Sequence, residues 1–355
     1  ERPNGEEFLR EQEEKIMRVE TDLIGTKEID QDAYYGLQTL RAYENFNITG
    51  RRAHPEFIRS LAAVKKAAAI TNCQIGELSE ERRDAIVQAC DEILAGKLHD
   101  AFITDSIQGG AGTSFNMNAN EVIANRAIEI LGGEKGDYTI VHPNDHVNMS
   151  QSTNDVIPTA GKITAIKLLQ GANFQLTRLI GALRKKEKEF DHILKMGRTQ
   201  MQDAVPIRLG QEFGAYRAVI ERDLGRMTHI TDELMYVNMG GTAIGTCINA
   251  DESYVSAIVS NLSAVTGLDL RQAKNLIDST QNLDCFVTAS STMKTCAVNL
   301  SKISNDLRMM SSGPRTGFHE INLPPKQNGS SIMPGKVNPV IPEVMSQVAF
   351  NIIGN

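Results

Sequence analysis

Long amphipathic helices dominate the pattern of apolar and polar positions along the chain. After Pro206, apolar residues recur at steps of three and four through Leu234, with Arg and Glu residues between them. This spacing places the apolar side chains on one face of a continuous helix. The same spacing predicts two more long helices, over 157–193 and 283–310, and a Gly-Pro pair terminates the second of these.

The pattern predicts an all-α fold with two domains. Shorter helices are expected near 55–73, 80–95 and 116–131, in a smaller N-terminal helical domain that spans 1–141. The remainder, 142–355, is expected to form a central long-helix bundle domain. A helix of 30 residues measures about 45 Å, and such lengths are typical of a bundle core that subunits share. A coiled coil is disfavoured, since no heptad is sustained and glycines interrupt the apolar stripes.

Four polar segments lie between or beside the long helices, at 109–121, 142–155, 197–206 and 324–339. They are rich in Gly, Asn, Ser and Thr and poor in aromatic residues. Loops of this composition at the ends of rigid helices often carry binding groups. We therefore expect the functional residues in these four segments.

The most informative segment is GSSIMPGKVNP, at 329–339. Its glycines and prolines make the backbone mobile in places and constrained in others, while Ser330, Ser331, Lys336 and Asn338 supply hydroxyls, a cation and an amide. These groups suit a lid that binds a carboxylate. An ordinary connecting loop with an incidental lysine is the alternative, and composition alone leaves both open.

A second segment, SQSTND at 150–155, gathers short hydrogen-bonding side chains directly before a long helix. Backbone N–H groups and the positive end of the helix would favour an anion there. The alternative is a simple helix cap, with Asn154 or Asp155 at the N-cap.

A metal site is disfavoured by the residues present. The segments hold no Ser/His/Asp triad and no pairing of two histidines with a carboxylate at ligand spacing. His142 and His146 could share a helical face as metal ligands. Pro143, Asn144 and Asp145 make a helix between them improbable, so we expect no metal.

Composition narrows the class of protein. Hydrophobic residues at 41% and charged residues at 23% are globular values, and a net charge of −7 argues against nucleic acid or an acidic membrane as partner. The start of the sequence lacks an apolar signal region, and no stretch reaches the length of a membrane span. Five scattered cysteines suggest neither a disulfide framework nor a zinc site. We expect a protein of the reducing cytoplasm.

The segment GSSIMPGKVNP closely resembles the signature loop of the aspartase/fumarase superfamily, and the other three segments resemble its remaining conserved blocks in the same order. The resemblance covers the chain from about Val19 onward. It implies a homotetramer of long shared helices, whose active sites each combine segments from three chains, and chemistry without a metal or organic cofactor. Members of the superfamily continue beyond the position of Asn355, so a further bundle segment and a small C-terminal domain are expected to be absent here.

Two positions favour an ammonia-lyase within the superfamily. Gln200 stands where fumarases carry a histidine that helps to handle water, and a neutral amide cannot act as an acid or base. Ala111 stands where fumarases usually have serine. The resemblance therefore implies interconversion of L-aspartate with fumarate and ammonia. The alternatives are a class II fumarase, a lyase that splits argininosuccinate or adenylosuccinate, and a catalytically silent homologue such as some lens crystallins.

The resemblance assigns the central role to Ser330, as the general base that takes the proton from the carbon next to the substrate's β-carboxylate. A free hydroxyl is a poor base, so the loop must close over the substrate and stabilise an alkoxide. The product of this step is an aci-carboxylate dianion. The positions that match the superfamily's contacts to this carboxylate are Thr113, Ser152, Thr153 and Ser331.

Further positions match the remaining parts of the substrate. Lys336, as a point charge, and Asn338, through its amide, match the residues that hold the α-carboxylate. The positions that match the surroundings of the leaving amino group are Asn154, Thr199 and Gln200. Glu343 matches an acid that pairs with the histidine of fumarases, so its role opposite a glutamine stays open.

Overall fold

A computed structural model describes residues 16–329, 331–333 and 335–355, which are mainly helical. The α-helices of the described residues are α1 (Leu37–Asn45), α2 (Pro55–Gln74), α3 (Glu80–Leu94), α4 (Thr113–Ile130), α5 (Thr153–Glu189), α6 (Leu209–Leu234), α7 (Glu252–Thr266), α8 (Leu276–Gln281), α9 (Asp284–Met310) and α10 (Val340–Gly354). The all-α prediction is confirmed. None of these helices combines the length and the apolar character needed to cross a membrane.

The periodicity located the helices closely. The three long helices are α5, α6 and α9, and the three shorter ones predicted in the N-terminal part are α2, α3 and α4. The start of α2 shows why its boundary is sharp. Pro55 occupies the first turn, where a missing N–H has no cost, and the His54 ring accepts a hydrogen bond from the Glu56 N–H.

Small sheets accompany the helices, and the apolar periodicity did not predict them. The strand pairs are β1 (Met17–Thr21) antiparallel to β2 (Thr26–Asp30), β3 (Leu194–Thr199) antiparallel to β4 (Gln202–Arg208), and β5 (Tyr236–Val237) parallel to β6 (Arg271–Gln272). The expectation of a loop at 197–206 is therefore wrong. Gln200 and Met201 connect β3 to β4 with φ of +50° and +64°, a two-residue turn whose twist suits a hairpin.

The expectation that the stretch after His142 is not helical is also wrong. Pro143–Val147 forms one π-helical turn. Nδ1 of His142 caps this turn by accepting hydrogen bonds from the N–H groups of Asn144 and Asp145, while Nδ1 of His146 accepts from the His142 N–H. Across the described ranges, no group of three or more His, Cys, Asp and Glu side chains is placed to hold a metal ion.

The chain divides into two compact units. Unit 1 comprises Glu1–Lys167 and Leu234–Leu283, and unit 2 comprises Leu168–Glu233 and Asp284–Asn355. In unit 1, α2 packs against α3 and α7, and in unit 2, α9 packs against α10. The domain boundary expected between residues 141 and 142 stays a prediction.

A buried carboxylate anchors α4, the helix that begins at Thr113. Glu121 accepts hydrogen bonds from three N–H groups at the start of α1, those of Gly36, Gln38 and Thr39. Burial raises the pKa of this carboxyl to about 7. The bonds satisfy orphan donors of α1 and tie that helix to α4.

Candidate active site

The start of α5 is held by reciprocal capping bonds. Oγ of Ser152 accepts a hydrogen bond from the Asn154 N–H at 3.2 Å, and the Ser152 N–H donates to Oδ1 of Asp155 at 2.9 Å. This is a capping box, with the acid at the third helical position. The cap is therefore Ser152 and not Asn154 or Asp155, one of which was the expected N-cap.

The Asp155 carboxylate also binds a segment that is distant in sequence. Its Oδ2 accepts hydrogen bonds from the N–H groups of Gly240, at 3.3 Å, and Thr242, at 3.0 Å. Burial raises the pKa of this fully buried carboxyl to about 6. One carboxylate thus ties the start of α5 to the segment after β5.

Pro158 creates a second link between these two segments. Proline has no N–H, so the carbonyl of Asn154, four residues earlier, loses its helical partner. The buried Asn238 side chain donates to that carbonyl at 3.0 Å, and the Asn154 side chain donates to the Ala243 carbonyl at 2.8 Å. Asn154 therefore follows Ser152 and Thr153 at the start of α5, and its amide is bound to backbone.

A buried lysine lies beneath the same segment. Lys65 of α2 is fully buried, and its Nζ donates to Oδ1 of Asn148 at 2.8 Å and to Oε1 of Gln151 at 2.9 Å. Oδ1 of Asn148 also accepts from Nδ2 of Asn116, which donates in addition to Oγ1 of Thr153 at 3.4 Å. Burial lowers the pKa of Lys65 to about 7, and the Asp155 carboxylate opposes that shift.

These groups surround a polar cavity of unit 1 with a volume of about 370 Å³. Its lining residues are Asn116, Met117, Asn148, Ser150, Gln151, Ser152, Thr153, Thr242, Ala243, Ile248 and Asn249. Two of the predicted carboxylate contacts, Ser152 and Thr153, are thus brought together here. Thr153 is the first residue of α5, so the positive end of this helix lies at the cavity and would favour an anion there.

Thr113 begins α4 and is exposed, with its hydroxyl donating to the Gly110 carbonyl at 2.6 Å. The preceding Gly112 has φ of +92°, and a β-carbon there would lie 2.9 Å from Cγ2 of Ile157. A glycine is required for both reasons. It allows the start of α4 to approach α5, and with it Thr113 approaches the start of the helix that Ser152 caps.

The signature segment lies in unit 2. Ser330 falls outside the described residues, whereas Ser331 and Lys336 are exposed. A β-carbon on Gly329 would overlap the carbonyl oxygen of Lys336, so the backbones of these two residues meet closely. This proximity requires a glycine at 329.

Two more predicted residues follow this loop. Asn338 lines a cavity of about 390 Å³ in unit 2, together with residues of 311–326 and 337–342. Glu343 lies in the first turn of α10 and is half-buried, and its N–H donates to the Pro339 carbonyl. Asn338 and Glu343 thus lie close together in sequence, where the chain leads from the signature segment into α10.

Thr199 and Gln200 are exposed at the tip of the β3–β4 hairpin. Arg198 fixes the strand beside the tip, because its guanidinium binds both carboxylate oxygens of Glu320, at 2.8 and 3.0 Å, and lies over the Phe318 ring. Such two-pronged ion pairs are geometrically specific. The hairpin therefore presents Thr199 and Gln200 from a fixed base.

Sequence reasoning missed the polar residues that support this site, among them Lys65, Asn116, Asn148, Asn238 and Thr242. One signal was available. Lys65 continues a helical stripe with Leu61, Ala68 and Asn72, all of which are buried. A lysine on the apolar face of a helix indicates a buried charge, which needs polar partners from other parts of the fold.

Comparisons with known proteins agree on one family. A family model described as Lyase matches residues 25–354. The aspartate ammonia-lyase of Bacillus subtilis (strain 168) is 56% identical over 342 residues, which are 96% of this chain and 72% of that protein. The aspartate ammonia-lyase of Helicobacter pylori (strain ATCC 700392 / 26695) is 53% identical over 341 residues, 96% of this chain and 73% of that protein.

Solved structures of the same type confirm the fold. The fumarate lyase:delta crystallin from Brucella melitensis, in its cobalt-bound crystal, matches with a TM-score of 0.93 and 51% identity, over 96% of this chain and 74% of that chain. The class II fumarase from Schistosoma mansoni matches with a TM-score of 0.92 and 35% identity, over 96% and 74% of the two chains.

The raised pKa of Asp155 predicts a pH-dependent stability. Its ordinary pKa is 3.8 and its folded value about 6, so between these pH values the folded chain holds a proton that the unfolded chain has released. The linked stability is complete below the ordinary value and is lost as the pH rises through 6. Asp155→Asn cannot ionise, so between pH 4 and 7 its free energy of unfolding should rise relative to wild type by about 2 kcal/mol.

Urea unfolding across this pH range measures the difference. Asp251 caps α7 through the Ser253 N–H, a bond that lowers the pKa of its carboxyl, so Asp251→Asn is a control with the opposite sign. Its stability relative to wild type should fall as the pH rises. A pH-independent difference for Asp155→Asn would contradict the role of the buried carboxylate.

Proposed function

The chain belongs to this lyase family, and we propose that it cleaves the carbon–nitrogen bond of L-aspartate reversibly, giving fumarate and ammonia. The observation that carries the proposal is the 56% identity with the Bacillus subtilis aspartate ammonia-lyase over 342 residues. The identity with the Schistosoma mansoni class II fumarase is 35% over a similar share of the chain. Gln200 at the hairpin tip is consistent with this choice, because an amide cannot activate water.

The proposed reaction starts beside the β-carboxylate. Thr113, Ser152 and Thr153 hold this carboxylate at the capped start of α5, where the helix dipole and the hydroxyls favour negative charge. Removal of the adjacent proton sends the electron pair of the C–H bond into the carboxylate, which becomes an aci-carboxylate dianion. Donors that are already in place stabilise the added charge and so lower the barrier. Two features support this assignment, the polar cavity at Ser152 and Thr153 and the buried cation beneath it.

The signature loop supplies the remaining chemistry of the proposal. Ser330 takes the proton, Ser331 adds a donor to the β-carboxylate, and Lys336 and Asn338 bind the α-carboxylate. The exposed ammonium of Lys336 supports this role, since such a charge is free to meet an anion. Closure of the loop over the substrate excludes water and brings the Ser330 oxygen, as an alkoxide, to the hydrogen that it removes, so that the serine ends the step as a hydroxyl.

The dianion then collapses to the product. Its electron pair returns to form the carbon–carbon double bond, and ammonia leaves with the electrons of the broken carbon–nitrogen bond. Asn154, Thr199 and Gln200 surround this amino group in the proposal, and Glu343 acts in support of them. The substrate amino group enters as –NH3+, so it takes the electrons of the broken bond and leaves as neutral ammonia without a proton from these amide and hydroxyl groups.

We also propose a homotetramer in which three chains build each active site. The predicted residues are divided between unit 1, with Ser152 and Thr153, and unit 2, with Lys336 and Asn338. Several apolar side chains of α5, α9 and α10 are exposed in the single chain, including Phe174 (63%), Val287 (67%) and Phe350 (64%). Exposed apolar surface of this kind is typical of protein interfaces.

The activity itself gives the first test. Fumarate absorbs in the ultraviolet, so we expect rising absorbance when L-aspartate is added to the protein. Ser330→Ala should reduce kcat by about 100-fold to 10,000-fold, the usual contribution of a general base, while thermal unfolding stays unchanged. Ser256→Ala on the surface of α7 is the matched control and should be fully active.

Other outcomes of the same assay would overturn the proposal. Fumarate from L-malate but not from L-aspartate would indicate a class II fumarase. Absence of turnover with both substrates would indicate a structural homologue. Activity of Ser330→Ala equal to that of wild type would remove Ser330 as the base.

The glycine at the neck of the signature loop gives a second test. In Gly329→Ala the added methyl group forces the backbone away from the Lys336 carbonyl and displaces the lysine by a substantial fraction of an ångström. A misplacement of about 1 Å can reduce kcat/KM by about 100-fold. Gly171→Ala in α5, where an added β-carbon meets no atom within 4 Å, is the control and should leave kcat/KM unchanged. Full activity of Gly329→Ala would show that the close approach of Gly329 to the Lys336 carbonyl does not position this lysine.

Mixing of inactive variants tests the shared site. Light scattering should give a mass four times that of the chain. Thr153→Ala and Lys336→Ala should each be nearly inactive, whereas tetramers assembled from both should recover part of the activity, since some sites then combine intact segments. Lack of recovery in mixed tetramers would contradict sites built from several chains.

A further inference from the structure

Lys65 has an unusual environment for a lysine. Its side chain is fully buried in α2, and its ammonium donates to two amide oxygens, those of Asn148 and Gln151. Burying an ammonium costs free energy that neutral partners offset only in part. A methionine would fill the same volume without that cost, so the position calls for a function of the charge.

The ammonium sets the direction of a chain of hydrogen bonds. A lysine ammonium can only donate, so the atoms of Asn148 and Gln151 that face the charged form of Lys65 are oxygens. The nitrogens then point away, that of Asn148 to the Gln151 carbonyl and that of Gln151 to the carbonyls of Val147 and Met149, as the distances of 3.0 to 3.3 Å show. No other orientation of the two amides satisfies all these partners.

The orientation of the Asn148 amide determines whether the Thr153 hydroxyl accepts or donates. Oδ1 of Asn148 can only accept, so the Asn116 atom that binds it at 3.1 Å must be the nitrogen Nδ2. The same nitrogen lies 3.4 Å from Oγ1 of Thr153, which therefore accepts. With its oxygen occupied in this way, the threonine hydroxyl is left with its hydrogen to donate.

The final donor faces an anion site. Thr153 lines the cavity at the positive end of α5, beside Ser152. A carboxylate only accepts hydrogen bonds, so it needs hydroxyls that donate. The nearby buried carboxylate of Asp155 accepts hydrogen bonds from three backbone N–H groups. The Lys65 ammonium instead donates to the side-chain amides of Asn148 and Gln151.

We infer that Lys65 is a positioning residue of the carboxylate site: through Asn148 and Asn116 it orients the Thr153 hydroxyl as a donor to the ligand, and it supplies a buried positive charge beneath the cavity. This inference rests on the proposed function for the identity of the ligand, a small dicarboxylate. Lys65 itself does not touch the substrate.

The experiment compares Lys65→Met with wild type, using succinate as the probe. Succinate has both carboxylates of the substrate but no amino group, so it binds without reacting. Isothermal titration should show its Kd rising by about tenfold or more, the effect of losing one charge-assisted interaction. For L-aspartate, KM should rise and kcat should fall together. Lys65→Gln, which keeps a donor but no charge, should give an intermediate Kd and serves as the second variant if Lys65→Met does not fold.

Lys162→Met is the matched control. Lys162 of α5 is also buried in unit 1, and its Nζ donates to the Tyr236 carbonyl at 2.7 Å, away from the cavity lining. Both lysine variants should lower the melting temperature, but only Lys65→Met should change the Kd of succinate. A purely structural role would reduce the fraction of folded protein, and so the apparent kcat, without changing Kd or KM.

The outcomes separate this inference from the proposed function. Turnover of L-aspartate with equal succinate Kd in wild type and Lys65→Met would overturn the role of Lys65 and keep the ammonia-lyase. Succinate binding that Lys65→Met weakens, in a protein that does not turn over L-aspartate, would support Lys65 and remove the ammonia-lyase. A wild type that neither binds succinate nor turns over L-aspartate would overturn both.

Discussion

The polar cavity depends on the hydrogen bonds that the Asp155 carboxylate accepts. This carboxylate receives N–H groups from the start of α5 and from the segment after β5, and residues of both segments line the cavity. A buried donor that loses its partner costs about 1 to 3 kcal/mol, so removal of this side chain would release both walls together. Asn238 reinforces the same junction by binding the carbonyl that Pro158 leaves free. Asn238 thus replaces the helical hydrogen bond that Pro158 cannot make.

Two pairs of cationic side chains differ in their hydrogen-bond and ion-pair partners. Lys195 and Arg198 are engaged with the carboxylates of Glu212 and Glu320, and they stabilise the hairpin base. Lys65 and Lys336 instead have no such partner among the described residues, one in a buried polar network and the other at the surface. In a protein with a net charge of −7, the attraction of a dianion depends on local positive groups of this second kind.

Much of the fold could be predicted from the sequence, because the packing of long helices leaves a strong period in the chain. The bounds of α6 and α9 agree closely with their apolar stripes. The hairpin at Gln200 and Met201 was not predicted, since neither residue is the glycine or asparagine that usually marks such a turn. The π-helical turn after His142 was missed because a histidine ring, seldom considered as a cap, satisfies its first N–H groups.

The candidate site was predicted less evenly. Ser152 and Thr153 line one cavity, and their role as carboxylate contacts stays a prediction. Lys65, Asn116 and Asn238 come from distant parts of the chain, and their roles depend on hydrogen bonds that only the folded chain creates. Ser330 lies outside the described residues, so its role rests on the resemblance and stays a prediction.

The close approach of Gly329 and Lys336 also affects how the family can diversify. Because the two ends of the loop meet at a single point, residues could be inserted or deleted between them without altering the path of the chain on either side. Homologues could therefore vary the length of this segment while the helical scaffold remains the same.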